Sequence, residues 1–108
     1  MSATTQQHPT PLAERDVRAL TECMSVLDDV GRARDAPGLF LVVTGGESYL
    51  VDAETGACEC DDSFYRTPDG GCKHARRVAF ATGERAIPAW ADPSAVDPLL
   101  GAFLGGEA

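Results

Sequence analysis

Asparagine is absent from this chain, Lys73 is its only lysine, Ile87 its only isoleucine, and aromatics make up 6% of its 108 residues. So few aromatics, in a hydrophobic fraction rich in alanine, limit the apolar area that folding can bury. A single domain of this size commonly needs a staple such as a metal. With one lysine, arginine carries nearly all the positive charge, and 17 acidic residues outweigh 9 basic ones to give a net charge of −8. That balance disfavours a polyanion as partner.

Long apolar runs are also missing. The longest, Leu39 to Val43, is far too short to cross a bilayer, and the polar start, Met1 to Pro11, has no secretory pattern. These absences predict a cytoplasmic location, no membrane partner, and reduced thiols that remain available to a metal.

What is present centres on Cys58-Glu59-Cys60, eleven intervening residues, and Cys72-Lys73-His74. On an extended strand residues i and i+2 share a face, so Cys58 and Cys60 can grip one ion while Glu59 points away. On a helix the same interval is about 200°. Cys72 must therefore sit before, or in, the first turn of a helix that carries His74 inward, and Gly70-Gly71 supplies the bend. Three thiolates and a neutral imidazole close a tetrahedron around one structural Zn²⁺ and leave no position for water or substrate, which argues against an enzyme and a small-molecule substrate. A helix beginning near Cys72 would also aim its positive end at the sulfurs. The competing disulfide between Cys58 and Cys60 needs a strained small ring and an oxidising compartment.

Elsewhere the pattern divides the chain. Residues 1–10 read as a tail in which His8 is solvated and not a ligand. Thr10-Pro11 opens an amphipathic helix predicted over 11–31, with Val17, Leu20, Met24 and Leu27 on one stripe and Gly31 as its stop. From Cys23 onward a short strand fits equally well, and Cys23 reads as a small buried hydrophobe. Leu39–Thr44, Gly45-Gly46 and Ser48–Asp52 read as a β-hairpin. Its first strand is apolar on both faces, which predicts cover by the N-terminal helix on one side and the zinc helix on the other. Phe64 or Tyr65 is expected over the metal site, and Thr82-Gly83 should end the zinc helix. Residues 85–108, broken by Pro88, Pro93 and Pro98, form a C-terminal tail whose apolar stretch, Ala95 to Leu104, is expected to dock on the domain. Trp90 should lie back on the core.

The arrangement C-x-C, a gap, then C-x-H, placed after two strands and at a helix start, resembles the SWIM zinc-finger family over Leu39 to Glu84. Asp61-Asp62-Ser63-Phe64 and Cys72-Lys73-His74-Ala75 carry the likeness, without the proline many members have after C-x-C. The resemblance implies a small ββα zinc module that binds nucleic acid or proteins. Members occur in chromatin, transposase and recombination-associated proteins and in small stand-alone archaeal ones. The fold class expected is thus α+β: a zinc-stabilised ββα module at 39–84, preceded by the N-terminal helix. The acidic, lysine-poor composition looks like that of a halophilic archaeal protein, although a GC-rich bacterial source gives a similar bias.

Two functions follow as expectations. One is a protein-interaction adaptor presenting the hairpin edge or the apolar tail. The other is a nucleic-acid-binding module using Lys73, Arg76 and Arg77, with Arg32, Arg34 and Phe80 as further candidates. Lys73, Arg76 and Arg77 fall three and four residues apart and so share a helix face. Weak DNA binding is expected, given the net charge.

Overall fold

Helix α1 spans Pro11–Thr21, beginning at a proline whose fixed φ suits the first helical position. The computed structural model describes residues 11–88 and 91–100. His8, Trp90 and the stretch 101–108 lie outside the described residues. α1 stops well short of the expected Gly31. Ser25–Asp28 forms strand β1, the alternative left open from Cys23 onward, because Val26 gains a core place opposite Val42 and tertiary pairing outweighs the local helical stripe, while Cys23 is exposed and not the expected buried hydrophobe.

β2 (Leu39–Thr44) and β3 (Glu47–Asp52) form the expected hairpin around Gly45-Gly46, both at positive φ. With β1 added, the sheet is three-stranded and antiparallel, ordered β1-β2-β3. Helix α2 (Lys73–Thr82) lies on the sheet and ends at Gly83, whose φ of 83° closes the last turn. Met24, Val26, Val42 and Val51 meet Ala75, Val78, Cys60 and Cys72 in the main core.

α1 does not cover the far face of the sheet. It packs mainly on α2, where Ala19 and Leu20 meet Phe80. α2 therefore lies between the sheet on one side and α1 on the other. On the opposite sheet face Leu27, Leu41 and Leu50 stand in register across the three strands, half-buried, and the turn Gly31–Ala33 packs against β2.

The C-terminal stretch docks as expected, within the described residues. Ala91, Val96 and Leu100 pack against Ala19, Leu20 and Phe80. The Asp97 amide donates to the Leu20 carbonyl at 2.8 Å. Residues 91–100 thus complete the second core cluster and are not a separate tail.

Candidate metal centre

After β3 the chain turns at Gly56 (φ 80°), and Cys58 bridges back to Val51, which sets the C-x-C segment antiparallel to the strand. Glu59 points away from the sulfurs. Its carboxylate takes two hydrogen bonds from Arg32, at 2.6 and 2.7 Å, and one from the Leu50 amide. The Arg32 guanidinium, and then the Leu50 amide, hold the Glu59 carboxyl down at about 2. Arg32 is thereby committed to an ion pair, whereas Arg34 is exposed.

At Cys60 the chain enters one wide helical turn, Asp62–Arg66, with the Phe64 amide donating to the Cys60 carbonyl and the Ser63 amide to its sulfur at 3.4 Å. Gly70 and Gly71 then reverse it at φ 84° and 91°. A side chain at Gly71 would bring its Cβ to 2.9 Å from that of Ala75, so only glycine allows helix and loop to approach this closely. Cys72 is the extended residue just before α2, and His74 sits in the first turn. That is the placement the spacing predicts.

The ligand atoms of Cys58, Cys60, Cys72 and His74 lie within 4.8 Å of one another. His74 Nδ1 stands 3.7 Å from the sulfurs of both Cys58 and Cys72. For a tetrahedral ion with bonds of about 2.3 Å to sulfur and 2.0 Å to nitrogen, the N···S edge is about 3.5 Å. The cluster can hold one metal ion, its donor set is consistent with zinc, and the imidazole nitrogen that faces the sulfurs is Nδ1.

The three thiols differ in proton affinity. Cys72 is drawn down to about 4, first by the hydrogen bond from the Cys58 thiol and then by His74 and the Ala75 amide. Cys58 is pushed up by the same hydrogen bond and by burial, and Cys60 is raised chiefly by burial. A divalent cation bound by these sulfurs would displace their protons.

The aromatic on this centre is Tyr49 of β3. Its ring stacks on His74 at 4.4 Å between centroids. Phe64 and Tyr65 make an edge-to-face pair of their own and are 72% and 75% exposed, so neither forms the expected lid. Tyr49 was legible as a core-facing residue two places before Val51, but Phe64 and Tyr65 are nearer the cysteines in sequence.

The basic residues of α2 divide sharply. Lys73 reaches the surface and pairs with Glu22 at 2.6 Å. Arg76 and Arg77 are 1% and 0% exposed, which corrects their placement on a phosphate-facing surface. Arg76 donates to the Gly71 and Asp69 carbonyls and to Asp16, and Arg85 holds the second oxygen of Asp16 at 3.1 Å. Arg77 donates to the carbonyls of Ala19, Glu22 and Met24 and to Asp97. Its Nε is the one buried side-chain polar atom without a partner among the described residues. Phe80 is buried and meets Arg85 at its ring face. These guanidiniums satisfy backbone left open where α1 ends and where the glycine loop turns.

Comparisons with protein-family models, with curated proteins and with solved structures return no match. Among the described residues no helix is long and apolar enough to cross a membrane.

Proposed function

We propose that this chain is a non-enzymatic SWIM-type module in which one structural Zn²⁺ is held by Cys58, Cys60, Cys72 and His74, and which acts as a protein-interaction adaptor. The observation that carries the zinc reading is the closed Cys₃His arrangement, with Cys60, Cys72 and His74 buried and every tetrahedral position supplied by the chain. Such a site organises a fold and offers no coordination position for a substrate. Purified protein should contain about one zinc per chain, and Co²⁺ exchanged into it should give the visible spectrum of a tetrahedral thiolate site. Cys72→Ser should lose both metal and thermal stability. Unchanged zinc content in that variant would overturn the assignment.

The adaptor reading is supported by the Phe64–Tyr65 pair, two large rings left in solvent on one turn beside the metal site. Exposed aromatics of this kind serve as anchors in protein interfaces. A partner in recombination- or chromatin-type assemblies agrees with the family resemblance. Capture from native lysate, with nuclease present, should lose its specific partner in a Phe64→Ser/Tyr65→Ser variant whose zinc content and melting temperature match the parent. Equal capture by parent and variant would remove this surface from consideration. For nucleic acid as the alternative partner, only Lys73 of the three nominated side chains lies at the surface.

A further inference from the structure

In the proposed zinc site His74 ligates through Nδ1, the nitrogen that faces the sulfurs, so its other nitrogen, Nε2, would carry a proton to donate. Metal-ligating histidines almost always give that proton to a carboxylate, a carbonyl or water. Among the described residues none accepts it, although His74 is only 4% exposed. His74 instead lines a surface cleft of about 250 Å³, with Nδ1 turned to the sulfurs.

Besides His74 and the sulfur-bearing Cys60, the cleft is lined mostly by cationic side chains. Arg15 and Arg18 reach it from α1, Arg66 from the turn after Cys60, and Lys73 from the start of α2, against a single lining carboxylate, Asp62. Arg15 grips Asp62 with two hydrogen bonds of 2.9 Å, and Arg66 touches the same carboxylate at 3.4 Å. Lys73 has Glu22. Arg18 is exposed and has no ion pair among the described residues. His74 and the uncommitted Arg18 guanidinium thus line the same space.

We propose that this cleft binds one phosphate-type oxyanion, which accepts the Nε2–H of His74 and is forked by Arg18 with help from Arg66 and Lys73. Planar guanidinium forks match phosphate oxygens two at a time, and the cleft suits a single tetrahedral group better than an extended polyanion. The net charge of −8 points the same way, since a compact cationic pocket can operate on a surface that repels a long phosphate backbone. The inference rests on the metal reading and is independent of the adaptor reading.

The test uses zinc-loaded full chain at low ionic strength, with its zinc content measured first so that loss of the metal reading is recognised separately. Inorganic phosphate is titrated while the ¹H–¹⁵N signal of His74 Nε2–H is followed. Saturable binding is expected, with that signal moving downfield. Arg18→Gln should weaken the affinity about tenfold or more, the equivalent of one charge-assisted fork, at unchanged zinc content and melting temperature. Arg66→Gln, on a largely exposed side chain, should weaken it as well. A response that does not saturate, or that is the same in both variants as in the parent, would overturn the proposal. Competition by a phosphoserine peptide or by a single-stranded oligonucleotide then identifies the source of the phosphate. The more effective competitor names it, and failure of both assigns the site to the free ion.

Discussion

Asp97 shows how much one side chain can hold in this chain. Burial alone would raise its carboxyl, but hydrogen bonds from Arg77 and from the Met24 and Leu99 amides outweigh that and keep it below the ordinary range. A folded value below the unfolded one, about 3.9, means that the stabilisation is fully present above that pH and is lost as pH falls through the lower folded value. Asp97→Ala leaves the Arg77 charge buried without its counter-ion and should cost about 3–5 kcal/mol, measured by denaturant unfolding of zinc-loaded protein. Its acid transition should also lack the contribution that parent protein loses below pH 4 or so. A variant as stable as the parent would show that the backbone carbonyls alone suffice for Arg77. At this scale the metal ligands were legible because their spacing is a local constraint, as was Gly71, whose positive φ the turn requires. The fates of Arg76 and Arg77 were not legible. Their carbonyl and carboxylate partners on α1 and in the link between α1 and β1 lie 53 to 60 residues away, beyond the reach of any periodicity argument.

Among elements, the hairpin, α2 and its Gly83 stop were readable because turn chemistry and capping act over a few residues. β1 stayed open between helix and strand, since Val17, Leu20, Met24 and Leu27 fit a helical stripe and only the presence of β2 decides for a strand. The position of α1 was misread for a related reason: an apolar stripe says that a face is buried but not against what. Because Ala91, Val96 and Leu100 complete the cluster around Leu20 and Phe80, truncation after Pro88 should do more than remove a docking segment. It strips the cover from that cluster and takes Asp97 from Arg77. The truncated chain should melt broadly and at lower temperature, and should bind a hydrophobic dye that the parent excludes. A sharp melt at the parental temperature would show that the segment contributes little.

For the molecule as a whole, the charge of −8 is spread over a chain of 108 residues with a modest core. Carboxylate self-repulsion opposes compaction at low salt. At 1 M the Debye length is about 3 Å, so the melting temperature should rise from low to molar KCl. A flat or falling trend would remove the halophile reading while leaving the metal site untouched. The overall class, α+β, followed from the alternation of element types. The three-stranded sheet and the layering of α2 between sheet and α1 needed contacts that only the folded chain reveals.

The separation in sequence of the groups around Arg77 has a consequence for the order of folding. Its carbonyl partners are up to 58 residues away and Asp97 lies 20 away, whereas Cys72 and His74 are joined within two residues and Cys58 and His74 within 16. Closing the longer loops is entropically dearer, so the metal knuckle should assemble early and the Arg77 clasp late. A contact absent from the transition state slows escape from the native state without hastening arrival. In stopped-flow measurements on zinc-loaded protein, Asp97→Ala should therefore accelerate unfolding and leave the refolding rate nearly unchanged, so that the clasp around Arg77 sets the lifetime of the fold while the cysteines set its nucleus.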